Sequence, residues 1–399
     1  MGTGANRGGQ TGVADGIKRP APPATYNARR GYWLKTTKRR WPVMVYCGFD
    51  AGKMSSHFCI VDEERSVVRE GKVRNREKDL EKVFGALLPM RIVIESSRKS
   101  FWLADQLRRL GHRPVVVDPG KTKAIGASRI KHDKLDARVL AELCQANLLA
   151  EVDPPTEAQR MARMPLTARA SMVRARSLLI AAAKSLLDSE GIEVPGSSSA
   201  NFSKAVSLAS RPLPEAMAAV IRPMLEAIEV LSEKIAVHER AIAAAAKADP
   251  AARLLQTCPG VGQICSAGYI HAIRDPKRFS SGRAVGAYLG LVPTLYASGN
   301  IYRRGGITKC GNRQARWLLT MAANSLLRSR QDSAIKRWGL KLAAKTGRKK
   351  AVTAVARKLA AVLWAMWREG RPFEPRMADA PSGGALPRAG RRSRVASGA

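Results

Sequence analysis

The order of short β-prone and helical segments between about residues 43 and 150 is the feature that most constrains the fold. Three apolar, β-prone segments come first, and helices and strands alternate after them, which predicts the order βββαβαβα. The predicted strands are 43–49, 55–61, 66–73, 91–95 and 114–117, and the predicted helices are 77–87, 101–110 and 133–148. This order indicates an α/β domain with a mixed sheet flanked by helices.

Two carboxylates stand at strand ends within this pattern. Asp50 ends the first predicted strand and Glu95 ends the fourth. If these strands are parallel neighbours, both acids emerge at one edge of the sheet, where active sites of open α/β sheets lie. The ribonuclease-H-like fold has this element order, although other α/β domains share pieces of it.

The helix that follows the fifth strand carries two more acids, Asp133 and Asp136. At 100° per residue from Asp133, Asp136 falls at about 300°, between Leu143 and Leu140 on the apolar side. Asp133 could instead be an N-cap, but a cap does not explain Asp136. A carboxylate on an apolar stripe is costly unless it is paired or binds a cation. The pattern therefore predicts that Asp136 faces a cation.

Four converging carboxylates would repel one another strongly without metal. Hard divalent cations prefer oxygen ligands, and Mg²⁺ is the usual choice beside phosphates. Two ions about 3.5–4 Å apart would activate a nucleophile and stabilise the leaving oxygen of a phosphodiester. The sequence predicts Mg²⁺, two ions with Mn²⁺ as a possible substitute, at Asp50, Glu95, Asp133 and Asp136.

The charge balance points to a polyanionic partner. Lys and Arg total 69 against 32 Asp and Glu, a formal net charge of +37. Such a chain repels itself unless a polyanion such as nucleic acid is near. The six scattered cysteines form no Cys-x-x-Cys pair, which argues against a zinc ribbon or a disulfide framework. No apolar run is long enough for a membrane span or a signal peptide, so we expect no membrane partner and a location in the cytosol.

The rest of the chain reads as tails and helices. Residues 1–42 and 376–399 are predicted to be disordered basic segments, and 43–152 is the α/β domain. Residues 153–250 are predicted to form a helical arm: 155–250 show no strand signal, and Leu166, Val173, Ile180 and Leu187 recur every seven residues. That spacing predicts a long coiled-coil helix, with a second helix from about Met224 to Ala246. Such an arm suits self-association, although an intramolecular hairpin fits nearly as well.

Residues 251–375 are predicted to be mostly helical, with several polar signals. Pro259-Gly260-Val261-Gly262 resembles a helix–hairpin–helix turn, whose amides can hold a phosphate, although an ordinary tight turn fits equally well. Ser298-Gly299 is predicted to lie in a polar loop and would usually be only a turn. Basic residues after it would surround Ser298 with positive charge. The predicted nucleic-acid contacts are Gly260, Gly262, Arg303, Arg304, Lys309, Arg313 and Arg316.

Taken together, these motifs resemble a known family over about residues 44–373. The chain resembles the DEDD-type insertion-sequence transposases of the "one-ten" and "eleven-eleven" groups, the bridge-RNA-guided recombinases. The N-terminal motifs that carry the resemblance are Gly48-Phe49-Asp50, Ile94-Glu95-Ser96 and the run from Lys131 to Ala137. The C-terminal ones are Pro259–Gly262, Arg278–Ser281, Tyr288–Pro293, Ser298-Gly299 and Ile307–Asn312.

The resemblance implies a RuvC-like nuclease domain, a coiled-coil arm and a C-terminal transposase domain. It implies that the four acids hold Mg²⁺ and that Ser298 is a nucleophile that joins DNA through a serine–phosphate bond. It also implies a structured guide RNA, DNA at the element ends and target, and a homo-oligomer, dimer or tetramer. In such an oligomer, one subunit's serine works with another's acids.

The sequence departs from the family's pattern at three places. The N-terminal extension is longer than usual, His132 stands where Thr or Asn is common, and Cys310 stands where Arg or Ala is common. None of these removes a catalytic group. Ser266, Ser280 and Ser281 rank below Ser298, and the Ser280-Ser281 pair is better explained as a helix start. Two alternatives stay open at this point: a junction-resolving nuclease that uses water, and a non-catalytic basic nucleic-acid-binding protein.

Overall fold

The computed structural model describes residues 44–118, 133–149, 151–298 and 301–376, and two short antiparallel strands, β1 (Tyr26–Asn27) and β2 (Tyr32–Trp33). In the four long ranges, side chains are described except at 133–135, 297–298, 301–302 and 304. The chain divides into two compact units, 1–155 and 156–399. The predicted basic tails lie outside the described residues, except for β1, β2 and residue 376. The predicted five-part division of the chain stays a prediction.

The first unit is built on a six-stranded mixed sheet of order β5-β4-β3-β6-β7-β8. The strands are β3 (Tyr46–Asp50), β4 (Ser55–Val61), β5 (Val67–Arg74), β6 (Arg91–Glu95), β7 (Arg113–Val117) and β8 (Glu151–Val152). Strands β3, β6 and β7 run parallel, and β4, β5 and β8 are antiparallel to their neighbours. The predicted mixed α/β domain is confirmed. The two-residue strand β8 was not predicted, because it is too short to show a period.

Three helices cover this sheet: α1 (Glu77–Phe84), α2 (Ser100–Arg109) and α3 (Asp133–Gln145). Because strand side chains alternate between faces, one set of apolar residues meets α1 and α2 and the other meets α3. Phe49 and Ile94 form a core with Leu80 and Leu103, whereas Val93 clusters with Leu140. Among the described residues, the sheet is therefore buried on both faces, with α3 as the helix on the second.

The second unit is mostly helical. Its helices are α4 (Glu157–Ser189), α5 (Phe202–Val206), α6 (Glu215–Ala248), α7 (Pro250–Gln256), α8 (Gln263–Ile273), α9 (Gly282–Tyr288), α10 (Arg313–Arg328), α11 (Ala334–Thr346) and α12 (Arg348–Glu369). Short 3₁₀ turns lie at Ser199–Asn201 and Pro276–Arg278. Residues of α7–α12 share one core, in which Leu359 and Leu363 of α12 are fully buried. Within the described residues, no helix is long and apolar enough to cross a membrane.

The long helices α4 and α6 pack against each other within the chain, as the intramolecular alternative predicted. The buried isoleucines of α6 recur every seven positions, at Ile221, Ile228, Ile235 and Ile242. The predicted start of α6 at Met224 is wrong: the helix begins at Glu215 and passes through Pro223. Fully buried Ile221 anchors the extra turns, which offsets the hydrogen bond that the proline removes. Supercoiling of the pair and self-association of the arm stay predictions.

A second correction concerns Ser298, which was expected in a polar loop. The structure instead has an antiparallel two-stranded hairpin, β9 (Pro293–Ser298) and β10 (Ile301–Ile307). The sequence carried a signal for it, since Gly299-Asn300 between two β-prone runs is a hairpin dipeptide. The glycine pair at 305–306 obscured the second run by breaking its alternation.

Candidate active site

Asp50 and Glu95 lie side by side at the carboxyl edge of the sheet. Strands β3 and β6 are parallel neighbours, with Phe49 opposite Ile94. Asp50 and Glu95 are the next residues of the two strands, so they occupy adjacent positions at one end. The expectation that these strands are parallel neighbours is confirmed.

Both acids also lie on the same face of the sheet. Phe49 and Ile94 face the core under α1 and α2, whereas Tyr46 and Val93 face α3. Because strand positions alternate, Asp50 and Glu95 fall on the α3 face. Each side chain is partly exposed, as a ligand for an external group must be.

Gly48 seats α3 directly on β3. A Cβ at Gly48 would stand 1.9 Å from the Ala137 carbonyl oxygen and 2.5 Å from the Ala141 amide nitrogen. No residue other than glycine fits there without moving the helix, because both obstacles are backbone atoms. Since Gly48 is two residues before Asp50, this contact fixes α3 beside the first acid.

The direction of α3 brings its first turn to the acids. Beyond the helix C-terminus, Asn147 accepts a hydrogen bond from Arg91 at the start of β6 (3.2 Å). The opposite end of α3 therefore lies toward the carboxyl ends of β3 and β6. Asp133 and Asp136 belong to that first turn. We call these two residues, together with Asp50 and Glu95, the acid edge.

The predicted orientation of α3 holds, with one refinement. The buried residues of this helix are Ala137, Leu140, Ala141, Leu143 and Cys144, and Arg138 pairs with Glu142 on the outer side (2.9 Å). Asp136 therefore lies between two buried leucines, as predicted, and the refinement is that its own side chain is only half-buried.

The acid edge suits a hard divalent cation by its chemistry, since it offers only carboxylate oxygens on a partly exposed surface. Among the residues searched, which are those the structure describes, no three His, Cys, Asp or Glu side chains are close enough to hold a metal ion. The side chain of Asp133 lies outside that description. The donor set therefore fits a metal, whereas a complete ligand shell stays a prediction.

His57 is a neighbour of the acid edge that the sequence did not indicate. It lies opposite Asp50 in the antiparallel pairing of β3 with β4, so the two residues share a face. The ring is half-buried. The strand register could have identified it, because the antiparallel pairing of β3 with β4 places His57 opposite Asp50.

Ser298 is the last residue of β9, opposite Ile301. We call β9 and β10 the serine hairpin. Arg303 lies opposite Tyr296, and both side chains are exposed, with Tyr296 66% exposed. A basic and an aromatic residue thus share one face of an exposed hairpin, as in surfaces that contact nucleic acid. The acids belong to the first unit and the serine to the second.

The base of the serine hairpin is held by close backbone contacts. Thr308 donates its amide to the Val292 carbonyl (2.9 Å), and Lys309 donates to the Gly290 carbonyl (3.1 Å). Gly290 and Gly311 both have positive φ, and a Cβ on Gly311 would stand 2.1 Å from the Tyr288 carbonyl oxygen. Glycines at these positions let two turns of chain meet backbone to backbone.

Arg316 stabilises the backbone at the base of the serine hairpin. Its Nη1 donates to the carbonyls of Leu289 (3.1 Å) and Cys310 (2.5 Å). Burial lowers the pKa of this guanidinium below its ordinary value, and the two carbonyls offset that cost. The predicted contacts at Arg303, Lys309 and Arg313 have exposed side chains, whereas Arg316 is turned inward here. The side chain of Arg304 lies outside the described residues.

The turn at Pro259–Gly262 has a structural role in part. Gly260 has φ of 81°, and a Cβ there would stand 2.5 Å from the Ala322 carbonyl oxygen of α10. Packing therefore accounts for this glycine without any ligand. Gly262 is exposed at the N-cap of α8 with open space around it. Only Gly262 leaves room for a phosphate.

The other serines of the region have structural duties or none. Ser266 is fully buried and donates to the Gln263 carbonyl (3.0 Å). Ser281 caps α9 by accepting from the Ala284 amide, so the predicted helix start is confirmed. Ser280 is exposed and has no such bond among the described residues.

Comparisons with known proteins identify the family of this chain. A DEDD transposase model of the IS110 group matches residues 47–191, and a model described as "Transposase IS116/IS110/IS902 family" matches residues 252–338. A probable family 20 transposase of Pseudomonas aeruginosa is 26% identical over 82% of this chain and 98% of its own length.

Two further relatives agree. The transposase for insertion sequence element IS1111A of Coxiella burnetii is 26% identical over 84% of this chain and 92% of its own length. A pilin gene-inverting protein of Moraxella bovis is 32% identical over 32% of this chain and 39% of its own length. The first family model spans the acid edge and the second spans the serine hairpin. The chain belongs to the DEDD-type insertion-sequence transposases of the IS110 group, enzymes that cut and rejoin DNA.

Proposed function

We propose that this transposase cuts DNA with Ser298 as nucleophile, assisted by the acid edge of a ribonuclease-H-like (RuvC-like) first unit. The observation that carries the proposal is the placement of Asp50 and Glu95 on adjacent parallel strands, beneath the first turn of α3 with Asp136. Membership of a DEDD family implies a divalent metal, and the oxygen-only donor set fits one. The proposed ion is Mg²⁺, for which Mn²⁺ can substitute.

Asp50, Glu95, Asp133 and Asp136 would hold the metal. When bound, two such ions would supply positive charge that activates the attacking oxygen and steadies the leaving one. The acids themselves position that charge, and their placement on a sheet edge and a packed helix keeps them apart at fixed separation. Removing one carboxylate therefore removes a ligand without disturbing the core.

The proposed covalent step is a transesterification at one phosphodiester of the DNA. The Ser298 oxygen loses its proton and forms a bond to the DNA phosphorus, while the bond from phosphorus to the 3′ oxygen breaks. The released 3′ oxygen takes up a proton and becomes a hydroxyl. Rejoining reverses the step, when a 3′-hydroxyl attacks the serine–phosphate bond. The exposed guanidinium of Arg303 and the ammonium of Lys309 stabilise charge on the phosphate.

We also propose that the enzyme acts as a homo-oligomer with a structured guide RNA. A net charge of +37 suits contact with more than one nucleic acid. Because Ser298 and the acids lie in separate compact units, the serine of one subunit can serve the acids of another.

The experiment compares strand cleavage by Ser298→Ala and Asp136→Ala with the unchanged chain. Each variant is expected to abolish metal-dependent cleavage, a loss of about 1000-fold or more, while DNA binding stays largely intact. Ser280→Ala, an exposed serine of the same unit, is the matched control and should cleave normally. Normal cleavage by either active-site variant would refute the mechanism.

The second candidate is a junction-resolving nuclease that uses water, which the acid edge alone would support. It needs Asp136 but not Ser298. Cleavage that survives Ser298→Ala and is lost in Asp136→Ala would favour it.

A further inference from the structure

A groove between α4 and α10 has no part in the chemistry above. Its volume is about 750 Å³, within the range of about 300–1,000 Å³ typical of small-ligand sites. Four arginines and no acid are among the residues that line it. The lining residues that matter here are Arg163, Arg169, Arg174, Asn312, Arg313 and Trp317. We call it the arginine groove.

The walls of the arginine groove are fixed to each other. Gln314 at the start of α10 donates to the Leu166 carbonyl of α4 (2.8 Å). Leu166 itself is buried against Ile242 and Ala267. Asn312 caps α10 by accepting from the Ala315 amide (3.0 Å). The groove is therefore a built feature of the second unit, with both helices anchored on either side of the opening.

The arginines divide into one structural residue and three available ones. Arg169 donates from Nε (2.8 Å) and Nη2 (2.6 Å) to one carboxylate oxygen of Glu239 in α6. Arg163, Arg174 and Arg313 are exposed, and none of them forms an ion pair within the described part of the chain. Three unpaired guanidiniums around one opening repel one another, which favours an anionic occupant. Arg163 and Arg174 are about 16 Å apart along α4, which suits a strand that carries several phosphates better than a single phosphate.

Trp317 gives the groove a second kind of contact. It is 47% exposed and lies one turn after Arg313 on α10. Two other tryptophans are covered by cations: Lys358 lies 4.9 Å from the Trp338 ring and Arg368 lies 5.0 Å from the Trp364 ring. No such cation covers Trp317 among the described residues. An uncovered indole beside unpaired guanidiniums is the pairing found where single strands stack on proteins.

We propose that the arginine groove binds an unpaired nucleotide of a single-stranded segment. The base stacks on Trp317, and the flanking phosphates contact Arg163, Arg174 and Arg313. A duplex keeps its base faces inside the stack, so it would use the guanidiniums but not the indole. The proposal rests on the function proposed above, because it supplies a nucleic-acid contact for the same enzyme. Guanidinium and indole do not read the sugar, so the strand can be DNA or RNA.

The test uses the full chain and labelled oligonucleotides about 12 nucleotides long, within the site sizes of single-strand binders. Affinity is measured by fluorescence anisotropy for single-stranded DNA, single-stranded RNA and a blunt duplex. Trp317→Ala is expected to weaken single-strand binding about 5- to 100-fold, the value of one stacked base, with duplex binding changed less than about 2-fold. Trp317→Phe should keep most of the affinity. Of single-stranded DNA and single-stranded RNA, the one whose affinity falls more in Trp317→Ala is the natural occupant.

Charge is tested separately. Arg174→Ala should reduce the salt slope for single-strand binding by about 0.7, as expected for one lost phosphate contact. The same exchange at Arg240, an exposed arginine of α6 outside the groove, is the control for charge, and Trp338→Ala is the control for a lost indole. With iodouracil in the oligonucleotide, ultraviolet cross-linking should label the tryptic peptide Trp317–Arg328.

Several results would overturn the proposal. Unchanged single-strand affinity in Trp317→Ala would do so, as would equal losses for single strand and duplex, or cross-links elsewhere alone. If the groove instead bound an acidic protein, Trp317→Ala would weaken binding of that protein and leave the affinity for oligonucleotides unchanged. Binding is also measured in Ser298→Ala. Normal cleavage by that variant would refute the proposed chemistry while leaving the groove result standing.

Discussion

The acid edge and the serine hairpin hold the two halves of the proposed chemistry on very different supports. At the acid edge, α3 touches the sheet backbone at Gly48, and Ala137 and Ala141 are buried around the contact. In the serine hairpin, two strands pair only with each other, and Leu295 and Tyr296 are 53% and 66% exposed. One half is enclosed by packing, and the other projects from its unit.

The difference fits the proposed roles of the two halves. A metal site tolerates errors of only about 0.2 Å in ligand distance, so its ligands need elements that packing holds rigidly. A nucleophile must reach a phosphate on an external strand, so an exposed hairpin end suits it. Only the base of the hairpin needs close packing, and Gly290, Gly311 and Arg316 provide that packing.

The largest expected effect comes from Gly48→Ala, which attacks the enclosed half. The added Cβ would collide with the backbone at Ala137 and Ala141, so α3 must shift or detach. We expect the first unit to lose about 3 kcal/mol or more of unfolding free energy, at the upper end for overpacking, and cleavage to disappear. Calorimetry of the full chain measures it, because two units can unfold in separate transitions.

Gly71→Ala in β5 is the matched control. Its Cβ would meet only the Phe58 ring, at 3.1 Å, and a ring edge can give way where backbone cannot. Its cost should stay below about 1 kcal/mol. Equal stability of Gly48→Ala and Gly71→Ala would show that α3 is not seated on β3 as described.

The next largest effect comes from Gly311→Ala, which attacks the hairpin base. Alanine at φ of 73° costs about 1–2 kcal/mol, and its Cβ would press on the Tyr288 carbonyl. We expect the second unit to lose about 2 kcal/mol and strand cleavage to fall at least about 10-fold, while DNA binding changes little. Gel assays of cleavage and binding on the same substrate separate the two effects.

Gly306→Ala is the control for that change, since nothing lies within 4 Å of its Cβ position. It should leave cleavage and stability close to those of the unchanged chain. If Gly311→Ala also cleaved normally, the base of the hairpin would not position Ser298.

Much of the enclosed half could be predicted from the sequence. Local apolar periodicity located β4 and β6 at their observed bounds, and strand ends then located Asp50 and Glu95. The helical period identified the outer face of α3 through Arg138 and Glu142. These features are local, so a short window of sequence contains their cause.

The projecting half could not be predicted equally well, because its causes are long-range. The need for glycine at 311 arises from a carbonyl more than twenty residues earlier, at Tyr288. The start of α6 before Pro223 depends on burial of Ile221 against another helix. The inward role of Arg316 depends on carbonyls at Leu289 and Cys310. The contacts of Gly311 and Arg316 leave no periodic trace in the sequence, whereas Ile221 continues the seven-residue spacing of the isoleucines of α6, a signal that Pro223 obscured.

The smallest expected effect is a pH dependence of stability that is confined to the second unit. Burial lowers the pKa of His271 in α8 below its ordinary value of 6.5, and the nearby Arg163 lowers it further while Asp249 raises it. Since the unfolded chain then binds more protons than the folded one just below pH 6.5, stability is kept above that pH and lost as pH falls.

We expect His271→Gln to remove about 1–2 °C of the acid-dependent fall in Tm of the second unit, with no change in the first. His238→Gln on α6 is the matched control for the loss of a histidine. Calorimetric scans on either side of the ordinary histidine pKa measure the effect. An identical acid-dependent fall in the variant and the unchanged chain would contradict it.

The most direct test asks whether the acid edge and the serine hairpin act on one phosphate, as proposed. A DNA substrate whose released fragment, the one that ends in the new 3′-hydroxyl, dissociates after cleavage should leave a covalent protein–DNA adduct when it is incubated with Mg²⁺. Mass spectrometry should place that adduct on Ser298 in the tryptic peptide Ala284–Arg303, and the adduct should be absent in Asp136→Ala. Cleavage without an adduct, or an adduct that forms without Asp136, would contradict the account.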